Sequence, residues 1–252
     1  MKTKAIVLHT LKYGEATLIV DMLTEEMGRV SFATGIPKTS KARVKRQFFQ
    51  PMSILELEYD HRERASLQRI RDVRLATPYT SLPFDPVKLS VALFLAEFLY
   101  HVTRDEQSNH PLFQYIEQSL LWLDAARQSI ANFHLVFMMR LSRFVGFYPN
   151  IEKAEHSTLF NPPSTKTAPG QQFFDLREAA FVDSAPLHPD FLLPEEASRV
   201  RTLMRMNYES MRLFRLSRAE RNRITELLLL YYRLHIPLMP ELQSFAVVRE
   251  LF

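Results

Sequence analysis

Lys38, Lys41, Arg43, Lys45 and Arg46 place five cations in nine consecutive positions, and no Asp or Glu stands between Glu26 and Glu56. Like charges at that density repel, and a fold gains little by collecting them unless an anion neutralises them. A polyanion such as nucleic acid does so through phosphate contacts and counterion release. The run closes on Phe48 and Phe49, which offer base stacking if exposed and core packing if not. Adjacent strand residues face opposite ways, so at least one of the two is expected inside. A solvated basic loop is the plainer reading of the same pattern.

A second basic cluster spans residues 199–223, with eight arginines against Glu209 and Glu220. On a continuous helix, Arg201, Arg205, Arg212 and Arg215 fall close to one stripe. Such a stripe is either a solvated face, a second phosphate contact or a dock for an acidic protein tail.

Residues suited to catalysis do not assemble in the same way. The five glycines (Gly14, Gly28, Gly35, Gly146 and Gly170) form no phosphate-cradling loop or dinucleotide fingerprint. No serine has glycines two residues to either side, so there is no nucleophile elbow. The eight histidines never pair at ligand spacing on one helix face, so no zinc site is expected. His101 and His134 sit in apolar stretches and read as core or boundary residues. Glu25-Glu26, Glu56/Glu58/Asp60 and Glu195-Glu196 are the carboxylate groups that a magnesium-dependent nuclease would need. The first lies in a turn, the second along the solvent face of a strand, and the third in a helix first turn, where the dipole favours acids. No enzyme activity and no cofactor are expected.

The elements that must position the basic run are short strands. Residues 4–80 alternate apolar and polar positions in five segments: around Ile6–Leu8, Thr17–Leu23, Arg29–Thr34, Met52–Tyr59 and Leu67–Leu75. Turns at Tyr13-Gly14-Glu15 and Glu25-Glu26-Met27-Gly28 separate the first three, with Gly28 expected at positive φ. Five such strands predict a small barrel. Pro78, Pro83 and Pro86 block both helix and central strand, which predicts a domain boundary near residue 80. The period then becomes helical. Asp85 caps a helix running from Pro86 to about Val102, apolar nearly all round and expected at the centre of its domain. Further helices are expected from His110 to about Ala126, from about Ile130 to a stop at Gly146, from Pro194, from the capping box Ser217–Glu220, and from Pro240. A proline-rich excursion at 147–192 interrupts them, with a short strand at Phe173–Leu176. The fold class is therefore α+β multidomain: 1–80 a β-barrel, 81–252 an α-helical domain.

Charge follows the same division. Residues 1–80 hold 14 Lys+Arg against 9 Asp+Glu, and the remaining residues hold 18 against 19, so the anion-binding weight is N-terminal. There are no cysteines, which excludes disulfides and thiolate metal sites. Ala5–Leu8 is too short for a signal-peptide core and no apolar run reaches membrane length, so a soluble, cytoplasmic protein is expected.

Several segments in order resemble the bacterial RecO family of recombination mediators and DNA-annealing proteins. These are AIVLHTLKYGEATLIVDMLTEEMGRVSFATGI, the basic loop closing on Gln50-Pro51, the strand Ser53–Tyr59, Ala96-Glu97-Phe98-Leu99, Phe144-Val145-Gly146-Phe147-Tyr148-Pro149, and the ending YYRLHI…LQSF. The resemblance implies an N-terminal OB-fold that binds single- and double-stranded DNA, joined to a helical domain. It implies annealing of complementary strands, including strands coated with single-stranded DNA-binding protein (SSB). It further implies loading of the recombinase RecA together with the partner RecR, all without nucleotide hydrolysis. Many relatives carry four zinc-binding cysteines after the Gly-Phe-x-Pro segment. This chain has none, so no metal is carried over, and the stretch is expected either to be held by packing, with Phe160, Phe173, Phe174 and Phe181 as candidates, or to be mobile.

Under this placement Lys38, Lys41, Arg43, Lys45 and Arg46 are the expected phosphate contacts, with Arg29 and Lys12 as neighbours. Arg201, Arg205, Arg212 and Arg215 are the second basic surface. Arg140 and Arg143, on an apolar helix, are the candidates for the acidic, apolar SSB C-terminal tail. The alternatives are an adaptor whose barrel docks a protein, and a metal-dependent nuclease.

Overall fold

The computed structural model describes residues 1–35, 46–150 and 171–251. Its contacts form two compact units, Met1–Arg127 with Pro240–Phe252, and Gln128–Met239.

In the first unit β1 (Lys2–Tyr13), β2 (Thr17–Thr24), β3 (Gly28–Gly35), β4 (Ile54–Asp60) and β5 (Gln68–Leu75) close into a barrel in the order β1-β2-β3-β5-β4. Neighbours are antiparallel except β3 and β5, which run parallel through Phe32↔Gln68 and Ala33↔Arg69. The alternation predicted a small barrel, and the strand order is OB-like, as the family resemblance implied. Ala5, Val7, Leu18, Val20, Met22, Phe32, Leu55, Leu57, Tyr59 and Val73 fill the interior, with the Phe32 and Tyr59 rings edge to face at 5.1 Å. Strict alternation along β5 puts Ile70 and Val73 on opposite faces, yet both pack on this core. A bulge explains it: Glu58 pairs with Asp72 and Tyr59 with Ile70, leaving Arg71 as the extra residue.

Gly28 has φ +68°, and a Cβ built there would lie 2.3 Å from the carbonyl oxygens of both Glu106 and Gln107. Only glycine lets that loop approach and lets Arg29 N–H donate to Glu106 O at 2.9 Å.

Two helices and the C-terminal one complete this unit. The Asp85 side chain accepts from Val87 N and Lys88 N to start α1 (Pro86–Val102), and Asn109 caps α2 (His110–Ala125). The Asp124 carboxylate near the end of α2 accepts from Thr80 N, Thr80 Oγ1, Ser81 N and Leu82 N, which fixes the proline-rich linker. Burial alone would raise its pKa, but these hydrogen bonds prevail and hold it below the usual carboxylate range. Lys88, 5% exposed, donates to Ser81 Oγ, Asp124 O and Ala126 O at 2.7–2.8 Å, placing its charge at the carbonyl end of α2. Glu97 on α1 accepts from Gln243 N, Ser244 N and Ser244 Oγ, satisfying the N–H groups ahead of the last helix, Phe245–Leu251. That helix begins at Phe245 rather than at Pro240.

The second unit holds α3 (Phe133–Leu141), the strands β6 (Phe173–Asp175), β7 (Ala180–Val182) and β8 (Phe191–Leu192), α4 (Pro194–Arg205) and α5 (Arg218–His235). α3 starts at Phe133, and the Asn132 amide ahead of it donates to Met211 O and Phe214 O without capping the helix. Ser217 and Glu220 make both bonds of the expected capping box. Gly146 ends the α3 region at φ +92°. The excursion contains a three-stranded sheet, β7-β6-β8, where the sequence suggested one strand. Phe174 and Phe181 are buried in it 4.9 Å apart, Phe173 packs on Phe191, and Phe160 lies outside the described residues. Polar ties add to this packing. Asp175 accepts from Arg177 N and Glu178 N and meets His188 Nε2 at 3.2 Å, while Arg177 Nε donates to Asp190.

Candidate nucleic-acid interface

One end of the barrel brings together the last residues of β1, the end of β3 and a 3-10 turn at Arg46–Phe49. Tyr13 pairs with Thr17, and Thr17 with Gly35, where β3 ends. The cation run occupies the sequence between Gly35 and the 3-10 turn. Phe49 is 2% exposed and joins the barrel core, its carbonyl accepting from Thr10 Oγ1 at 2.7 Å. Phe48 is half-buried against the same core, so the pair closes the barrel, although on a 3-10 turn rather than a strand. Behind it Met52 N donates to Val7 O and Val7 N to Ser53 O, and Tyr79 OH donates to Met52 O. The cation run therefore leaves and re-enters on anchored chain.

Arg46 and Lys12 are exposed at this end. Lys38, Lys41, Arg43 and Lys45 lie outside the described residues. Arg29 differs from expectation. Its guanidinium stacks 4.4 Å over Tyr100, donates to Tyr100 O and stands 3.7 Å from Asp21, with only 10% of the side chain exposed. Burial lowers its pKa, the nearby Asp21 opposing this. Arg29 braces α1 on the barrel and presents nothing to a phosphate; the signal in sequence is its place beside Gly28, where the chain approaches closely.

The arginines of 199–223 do not share a helix, because α4 stops at Arg205 and Met206 turns extended. Arg212 falls in a 3-10 turn at Met211–Leu213 and Arg215 in the segment after it. Leu203 and Met211 are buried. Arg201 stacks 3.8 Å over Phe181 and donates to Gln172, so it is a packing residue, whereas Arg205, Arg212 and Arg215 are exposed. Arg140 donates to Met206 O, and Arg143 lies 4.1 Å over Tyr148. Sequence reading missed an apolar pocket in this unit lined by Met139, Phe174, Leu203, Leu228 and Tyr231, with Arg199 as the cation beside it. Its walls come from several separate segments, which no local periodicity reveals.

Of the carboxylates considered for metal binding, Glu56, Glu58, Asp60 and Glu196 are ion-paired. Arg74 Nε donates to Glu56 at 2.7 Å, Arg71 Nε to Asp60 at 2.6 Å, and Lys2 stands 3.9 Å from Glu58. Among the described residues no three His, Cys, Asp or Glu side chains are grouped to hold a metal ion. No helix among them is long and apolar enough to cross a membrane.

Two family models match the chain along almost all of its length. Residues 1–79 match the N-terminal part of recombination protein O and residues 83–242 its C-terminal part, with the junction in the proline-rich linker. The chain belongs to the RecO family. Proteins named "DNA repair protein RecO" from Phocaeicola vulgatus and Bacteroides fragilis are 49% and 47% identical to it, with 100% of this chain and 98% of each relative covered. One from Flavobacterium psychrophilum is 32% identical over 100% of this chain and 99% of its own. The full-length match carries the general assignment to DNA repair.

Proposed function

We propose that the protein is a non-catalytic DNA-binding factor of DNA repair and homologous recombination that anneals complementary strands. Together with RecR it helps load RecA on single-stranded DNA coated with SSB, in the cytoplasm at the nucleoid. The carrying observation is the cation-only run between Gly35 and the barrel-anchored Phe49, which has Lys12 and Arg46 exposed at the same end. Phosphate contacts of that kind give affinity without sequence preference, as an annealing factor requires. Lys38, Lys41, Arg43, Lys45, Arg46 and Lys12 are assigned this role, and single- and double-stranded DNA are the ligands. The acidic, apolar SSB tail is assigned to the surface around Arg143, which is exposed and stacks over Tyr148. Arg140, turned toward a backbone carbonyl, fits that role less well.

The test is an annealing assay with two complementary oligonucleotides carrying a fluorescence donor and acceptor, bare or coated with SSB. Faster annealing with no nucleotide and with all DNA intact is the expected result. An unchanged rate would contradict the annealing role, and magnesium-dependent shortening of the DNA would point to a nuclease.

A further inference from the structure

The chain leaves the second unit at Met239, and Pro240–Phe252 returns to the first. Helix α1 holds it there. Glu97 accepts from Gln243 N at 2.9 Å, from Ser244 N at 2.8 Å and from Ser244 Oγ. The Phe245 ring lies 6.2 Å from that of Phe94, and Leu242 and Val248 are buried.

The connection to this segment is strained. α5 ends at His235, Ile236 is extended, and Pro237 leads to Leu238 at φ +58°. After a proline that opens a turn, glycine is the residue that ordinarily supplies a positive φ. Leu238 is 87% exposed, so burial of its side chain does not offset the cost of that backbone. Pro240 disfavours the helical region at Met239, as Pro237 does at Ile236. Both flanks of Leu238 therefore favour extended chain, and Leu238 itself bends against them.

We propose that Pro240–Phe252 exchanges between two copies of the chain, each segment docking on α1 of the other copy while the hinge at Leu238 opens. The contacts to Glu97 and Phe94 are kept in the exchange, and two strained hinges relax in each dimer. The short tether holds the segment near its own α1, so the dimer grows with protein concentration. The exchange is independent of the DNA-binding reading, to which it adds a particle with two cation runs.

The test is light scattering after size-exclusion chromatography, from micromolar to millimolar protein, on the native chain and Leu238→Gly, both checked for folding. The native protein is expected to form a dimer that dissociates slowly on dilution, because each segment must undock. Leu238→Gly relieves the hinge and leaves both docking faces intact, so it is expected to raise the dimer Kd by about tenfold or more. A second measurement identifies the exchanged part. Leu93, 42% exposed on α1 one turn before Glu97, and the exposed Gln243 are changed to Cys in separate copies of a chain that otherwise has no cysteine. A short bismaleimide is expected to link the two kinds of copy when mixed, and neither kind alone. A native protein that stays monomeric throughout, a dimer Kd unaltered by Leu238→Gly, or no link in the mixture each overturn the exchange.

Discussion

Thr10 Oγ1 donates a 2.7 Å hydrogen bond to the carbonyl of Phe49, 39 residues away, and so fixes the return of the cation run to the end of β1. The ring of Phe49 is sealed in the barrel. Phe49→Ala is expected to cost about 3–5 kcal/mol of stability in denaturant unfolding, as for other buried aromatics. Thr10→Val removes the side-chain donor alone and should cost about 1 kcal/mol. Equal, small effects would mean that the closure is not part of the barrel core.

Arg29 and Lys12 separate a brace from a surface cation. Arg29→Ala leaves Asp21 and Tyr100 O without its guanidinium, and should lower the unfolding midpoint while the salt slope of DNA binding stays the same. Lys12→Ala should leave the midpoint in place and reduce that slope by about one phosphate contact. Circular dichroism and anisotropy on both variants give the comparison.

Gly28→Ala should be among the most damaging single-methyl changes in the barrel. The positive φ alone costs about 1–2 kcal/mol for a residue with a Cβ, and the backbone at Glu106 and Gln107 must also move. Lys88→Met should cost roughly 3 kcal/mol, since Ser81, Asp124 and Ala126 lose their shared donor in a buried place. Thermal or urea unfolding measures both.

His134 gives a pH dependence. It is fully buried, and its Nε2 lies 3.1 Å from Thr225 Oγ1, whose own hydrogen goes to Arg221 O, so Nε2 donates. Burial, with Arg221 adding to it, pushes its pKa down to about 3. The unfolded chain therefore takes up a proton near pH 6.5 that the folded protein refuses. The stability this confers is full above about 6.5 and is lost as pH falls from there toward 3, by roughly 1.4 kcal/mol per pH unit. Unfolding midpoints measured between pH 7 and 4.5 should fall less steeply in His134→Gln than in the native protein.

The barrel was legible because its strands alternate over most of their length and are bounded by Gly14, Gly28 or a polar turn. The helix starts at Asp85 and Ser217 were legible because their caps are local. Non-local determinants were not. The Arg71 bulge depends on the register of β4 against β5, the burial of Arg29 on a loop and helix some 70 residues away, and the pocket beside Arg199 on several segments meeting. The arginine stripe failed because the helix carrying it stops at Arg205, where no glycine or proline marks the end. At the candidate interface, charge and the closing Phe49 were readable, whereas the 3-10 turn that carries Phe49 is tied by Thr10, 39 residues away, and was not.

The most direct measurement is a salt series of anisotropy on a labelled single strand, comparing the native protein with a folded variant in which Lys38, Lys41, Arg43, Lys45 and Arg46 are all alanine. The native protein should bind with log affinity falling linearly with log salt, and the variant should lose most of the affinity and several units of slope. Equal binding and equal slopes would contradict the assignment of this run as the DNA site.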